Sequence, residues 1–232
     1  VARITRKELK SDKFAQEVGL TVTFFEEHKE EITRYGAIAA VAGLLLAGYL
    51  FYQRKQHGVR EEALTKAIQV QEAPVGPSAN GGPGFPTQEA KDQETLRVFT
   101  DLRNKYAGSE EGNIAEYYLG AVKADQGKLA EAEKSFQEVA QKGDQNYASL
   151  AKLSLAQIYF ADGRSDLGER TLRELIAQPT IFVSKEQAAI TLARYLMLKK
   201  PAEARKLLDP LRNRPGEVGQ VALQVYGELP AQ

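Results

Sequence analysis

No cysteine and no tryptophan occur in the 232 residues, and histidine occurs only as His28 and His57. Without cysteine there is no disulfide, no thiolate metal site and no cysteine nucleophile. The redox compartment stays open, because a cysteine-free chain survives in either. Excess charge of one sign is missing too: 31 basic residues balance 31 acidic ones. A nucleic-acid binder shows a basic surplus, so the balance argues against that class. The chain is 43% hydrophobic and 27% charged, the composition of a folded chain and not of a disordered one.

What is present begins with Gly36 to Tyr52, 17 residues without a charge, closed by Arg34 on one side and by Arg54 and Lys55 on the other. As a helix this run rises roughly 26 Å, close to the ~30 Å of a hydrocarbon core. Tyr35, Tyr49 and Tyr52 sit where interfacial aromatic belts form. Seven large apolar residues in the run together favour insertion by roughly 2–4 kcal/mol. A buried soluble helix rarely runs this long without a polar residue. A signal peptide opens with a short basic segment, whereas Glu26, Glu27, Glu30 and Glu31 precede this run. The reading is a single retained membrane helix over 35–52, which puts His28 and His57 on opposite sides of the bilayer. Gly36, Ala40, Gly43 and Ala47 fall on one helical face and form a candidate packing surface within the anchor. Charge leaves orientation open. Lys29 and Arg34 stand near one end against Arg54, Lys55, Arg60 and Lys66 near the other, but the tail adds Arg3, Arg6, Lys7, Lys10 and Lys13.

The tail (1–34) has capping-box spacing at Thr5–Glu8, and Phe14, Val18, Val22 and Phe25 then form an amphipathic stripe. After the anchor, Val59, Ala63, Ala67 and Val70 continue a helical stripe through a stalk over 53–72. The segment 73–88 is a linker: four prolines and four glycines between Ala73 and Pro86 forbid helix or central strand.

From residue 89 to 232 the pattern is helical and repeats every 36 residues. Gly127 and Gly163 are 36 apart. Leu119-Gly120, Leu155-Ala156 and Thr191-Leu192 occupy equivalent places, as do Ala132, Gly168 and Ala204, and Phe136, Leu172 and Leu208. Pro179 and Pro215 close the second and third copies. This resembles the tetratricopeptide repeat, with copies starting at Asn113, Ser149 and Lys185. Glu116 departs from the motif's large residue, and Lys199 stands where the third copy's glycine should be. Leu96, Phe99 and Leu102 read as the second helix of a half repeat, and Val218 to Leu229 as a capping helix. The fold class is all-α: a single transmembrane helix with a stalk, then a tetratricopeptide-like α-solenoid of about three hairpins plus flanking helices.

Chemistry finds little support. The repeat region has no histidine and no cysteine. Zinc sites and Ser-His-Asp or Cys-His arrangements are therefore absent from it. Gly120 to Leu129 has two spacer residues too many for a phosphate loop and leucine where a magnesium-binding hydroxyl belongs. No cofactor, metal or catalytic residue is expected, and the chain reads as a non-enzyme.

The repeat resemblance implies a concave groove lined by the first helix of each hairpin. Carried over by register, its residues are Ile114, Tyr117, Ala121, Ala124 and Asp125, then Leu150, Leu153, Gln157, Phe160 and Ala161, then Glu186, Ala189, Ala193, Leu196 and Met197. The basic clamp that grips chaperone C-termini is missing from it. The mostly apolar lining fits an apolar segment or helix of a partner; the alternative is that the stalk or capping helix fills the groove. Charge is uneven across the repeats. Residues 87–146 carry eight basic and twelve acidic side chains, net −4, while residues 185–214 carry eight and three, net +5.

The whole layout, with its Arg6-Lys7-Glu8-Leu9-Lys10 opening, one anchor, a stalk and degenerate repeats, resembles a bacterial group. These are membrane-anchored tetratricopeptide-like proteins related to the ancillary subunit of the SecYEG translocon. The resemblance implies an inner-membrane protein with its N-terminus in the cytoplasm and its repeats in the periplasm. Its partners would be translocon subunits and periplasmic chaperones, its work the assistance of exported proteins. The rival reading is an accessory subunit of another multi-subunit membrane complex, such as a bioenergetic one.

Overall fold

The structure is a computed structural model that describes residues 29–76 and 84–230. The amphipathic stripe of the tail (Phe14, Val18, Val22 and Phe25) lies outside the described residues, as does the middle of the linker. Among the described residues the secondary structure is helical apart from one isolated bridge, Val75 to Phe85. The helices are α1 (Lys29–Glu72), α2 (Gln88–Lys105), α3 (Glu110–Asp125), α4 (Leu129–Lys142), α5 (Gln145–Ala161), α6 (Ser165–Ala177), α7 (Lys185–Leu196), α8 (Pro201–Leu208) and α9 (Glu217–Gly227). The described residues fall into two compact units, divided between Val59 and Arg60.

In the first unit the apolar run is helical and bare. Its 18-residue window has a mean hydropathy of 1.7, and none of it is buried. It is long and apolar enough to cross a membrane. Gly36, Ala40, Gly43 and Ala47 are all exposed, and a Cβ added at Gly36 or Gly43 would meet nothing within 4 Å.

The second unit is a stack of hairpins, α3–α4, α5–α6 and α7–α8, each packed on the next. Side-chain caps start its helices: Thr87, Ser109, Asp144 and Ser184 accept from the first free N–H groups of α2, α3, α5 and α7. Gly127 and Gly163 turn the first two hairpins with φ near +75°, a conformation that costs glycine no steric strain. The third turn, with Lys199 in that place, has no positive φ. There α7 stops early, at Leu196, and Pro201 opens α8 in its first turn, where a missing N–H costs nothing.

The half repeat acquires its first helix from an unexpected source. Residues of α1 beyond Arg60 belong to the repeat unit, not to a free-standing stalk. Leu64 and Ala67 are buried in one cluster with Phe99 and Leu102 of α2 and Ile114, Ala115 and Leu119 of α3. Two arginines add polar ties to α3. Arg60 Nε lies 3.0 Å from the buried Glu111 carboxylate, and Arg103 Nε lies 3.0 Å from that of Glu116. Glu116, the residue that breaks the repeat motif, is therefore tolerated because α2 supplies its counter-ion.

Two contacts fix the spacing within hairpins. A Cβ on Gly120 would come within 2.9 Å of the Phe136 ring, and one on Gly168 within 2.6 Å of the Phe160 ring. Between hairpins an ion pair recurs. Glu133 of α4 takes both terminal nitrogens of Arg164, at 2.9 and 2.7 Å, and 36 residues later Glu169 of α6 takes Lys200 at 2.8 Å. The Arg164 guanidinium holds the Glu133 carboxyl below the ordinary carboxylate range, chiefly by its hydrogen bonds.

Overpacking at the first glycine should show this directly: Gly120→Leu is expected to cost roughly 1–3 kcal/mol, read as a lower urea midpoint. The ion pair gives a pH test. A depressed folded-state pKa contributes stability above the unfolded value and loses it as pH falls through the folded one. Glu133→Gln should therefore lower the melting temperature at pH 7. The difference from the parent should close below about pH 4, the unfolded glutamate value.

Candidate protein-binding groove

The groove expected from the repeat register divides into three parts once burial is known. Ile114 (7% exposed), Leu153 (9%) and Leu196 (4%) are core residues. Tyr117, Leu150, Phe160 and Met197 are half-buried, and Gln157 is exposed. The α7 end is the most enclosed. Ala189, Ala193 and Leu196 share one buried cluster with Ala222, Val225 and Leu229, so α9 and the segment after it pack against the third hairpin there.

The open part lies between α3 and α5. Ala121, Ala124 and Asp125 on one side and Ser154, Gln157 and Ala161 on the other border a cavity of about 280 Å³, with Phe136 and Ile158 beneath. The walls follow from the repeat register, since residues four or three apart on a helix share a face. Five of the residues expected to line the groove meet here. The cavity is slightly smaller than the ~300–1,000 Å³ typical of small-molecule sites, a size suited to one or two inserted side chains.

Next to it runs a row of aromatic rings that the sequence did not reveal. Phe99 stacks on Tyr118 at 4.7 Å. Tyr118 meets Tyr117 edge-on at 5.7 Å, Tyr117 meets Tyr147 at 5.6 Å, and Tyr147 meets Phe182 at 5.4 Å. Edge-to-face pairs at these separations are attractive beyond the area they bury. Burial raises the Tyr117 phenol above its ordinary value, and a hydrogen bond with Ser154 offsets part of that. Burial, then the neighbouring Tyr118, raises Tyr147 as well. Both shifts favour the neutral phenol. The row is missed by repeat arithmetic because its members come from α2, α3, α5 and the α6–α7 loop at unrelated repeat positions.

That loop is tightly tied. Thr180 N–H donates to Val183 O at 2.9 Å, Val183 N–H donates to Thr180 Oγ1 at 3.0 Å, and the Ser149 and Thr180 hydroxyls share a hydrogen bond of 2.7 Å. With Val183 fully buried, the loop holds Ile181 out at 88% exposure. Further along, Phe160 stacks flat on Tyr195 at 3.9 Å. Among the described residues no cluster of His, Cys, Asp or Glu could hold a metal.

A helical stack with an open inner face and a 36-residue register agrees with the sequence-level comparison. The profile of the tetratricopeptide repeat-like domain matches residues 23–209. The chain belongs to that family. No curated protein and no solved structure matches the chain. A tetratricopeptide repeat-like domain implies protein partners in general.

Burial separates core from surface within the groove. Leu153→Ala should destabilise the fold by about 2–5 kcal/mol, the usual range for a buried leucine. Gln157→Ala should leave the melting temperature within a degree or two. Thermal melts of the two variants side by side check this; equal losses would mean that Gln157 is also core.

Proposed function

We propose that this chain is a non-enzymatic, membrane-anchored scaffold for protein interactions. In this reading residues 35–52 cross a bacterial inner membrane, the tail lies in the cytoplasm, and the repeats lie in the periplasm. There the scaffold assists exported proteins at the Sec translocon together with periplasmic chaperones. The observation that carries the scaffold reading is the open, methyl-walled pocket between α3 and α5. It offers shape and apolar contact to an inserted side chain, which are means of binding. The exposed apolar helix supports anchoring, since no soluble fold leaves such a run uncovered without cost. Assignment to the export pathway rests on the layout of tail, anchor, stalk and degenerate repeats.

Three measurements test the reading in order. Alkaline carbonate should leave the protein in the membrane pellet, and Leu45→Arg, costing about 3 kcal/mol of insertion, should release a large fraction of it. In spheroplasts, added protease should digest the repeats and spare the tail; protected repeats with an open outer face would remove the export role. Purification in mild detergent should bring translocon subunits and periplasmic chaperones with the protein. Recovery of a fixed set of subunits of some other membrane complex would instead establish an accessory structural role.

A further inference from the structure

The pocket between α3 and α5 has alanine on both walls, and together with the adjoining hollow it has more carboxylates than cations at its rim. Ala121, Ala124 and Ala161 present single methyl groups, so a partner backbone can approach closely. At the rim stands Asp125, exposed, and among the described residues none forms an ion pair with it. It is the last residue of α3, where the negative end of the helix dipole makes a carboxylate locally unfavourable. The adjoining hollow shares Leu129 and Ile158 with the pocket and adds Glu131, also without an ion pair among the described residues. Across both hollows four carboxylates (Asp125, Glu131, Glu133 and Asp162) meet two cations, Lys128 and Arg164. Arg164 is already held by Glu133 and Asp162. The surrounding segment, residues 87–146, is net −4.

We infer that the pocket docks an amphipathic helix of a partner protein that is apolar on one face and basic beside it. One bulky apolar side chain of that helix enters between α3 and α5, and a neighbouring lysine or arginine lies against Asp125 and Glu131. Helix-in-groove recognition reads such anchors at helical spacing, and complementary charge fixes their register. The inference rests on the reading of this pocket as the scaffold's binding surface and adds the chemistry of what it selects.

The test uses the full chain in dodecyl maltoside and two fluorescein-labelled helical peptides. They are identical in leucine and alanine, one carrying lysine and the other glutamate at the polar positions. Fluorescence anisotropy should show the lysine peptide binding about tenfold or more tightly than the glutamate peptide. Asp125→Lys should reverse that preference. Ala121→Trp should abolish binding by filling the pocket. Gln157→Trp, at an exposed position, does the same job if the first variant melts early. Equal binding of both peptides, lost on pocket filling, would overturn the charge inference and leave the groove reading standing. Binding untouched by either pocket-filling variant would overturn both. A dimer that Ala121→Trp or Gln157→Trp dissociates would show that a second copy fills the pocket, which also overturns the inference.

Discussion

The close approach of paired helices at two small residues is the constraint on which the rest of the stack depends. Gly120 against Phe136 and Gly168 against Phe160 leave no space for a Cβ, so the first two hairpins pack at a distance that only glycine allows. A fixed distance within hairpins allows contacts between hairpins to recur. Glu133 meets Arg164 and Glu169 meets Lys200 at the same repeat positions, each partly shielded from solvent. Neither pair would survive a change of register. With the register set, the first helices of successive hairpins line up side by side, and the pocket between α3 and α5 follows from that alignment.

The ends of the stack are treated differently from its middle. At the N-terminal end α1 is recruited from Arg60 onward, so Leu64 and Ala67 cover what would otherwise be an open face of α2 and α3. At the C-terminal end α9 packs on α7 and α8, and Arg205 and Arg212 lie over the Tyr226 ring. A solenoid needs such caps because each hairpin buries only what its neighbours cover. The capping explains why three of the residues that repeat register places in the groove, Ala189, Ala193 and Leu196, are enclosed instead. The inner face stays open only in the middle of the stack.

Much of this was legible in the sequence, and the remainder fails for physical reasons. The 36-residue period, the small residues at Gly120, Ala132, Ala156, Gly168 and Ala204, and the half repeat around Phe99 all follow from patterns local to one hairpin. The uncharged run of 17 residues needs no tertiary information to be seen. Register arithmetic also brought Ala121, Ala124, Asp125, Gln157 and Ala161 to one face. It does not separate core from surface, because register assigns Leu153 and Leu196 to the groove face although neighbouring helices bury them. Nor could it show that α1 serves two units, since a helical stripe reads the same whether free or packed. The Glu133–Arg164 and Glu169–Lys200 pairs were readable in principle. Their spacing of 31 residues repeats in register, but charged residues in helices usually mark solvated faces.

The central claim is that binding takes place on the inner face between α3 and α5 and not on the outer helices. Photo-crosslinking from single positions in living cells tests it most directly. A benzoylphenylalanine at the exposed inner position Gln157 should capture a protein partner, and the same probe at the exposed Arg170 of α6 should not. Capture of one partner with equal yield from both positions, or from Arg170 alone, would contradict the account.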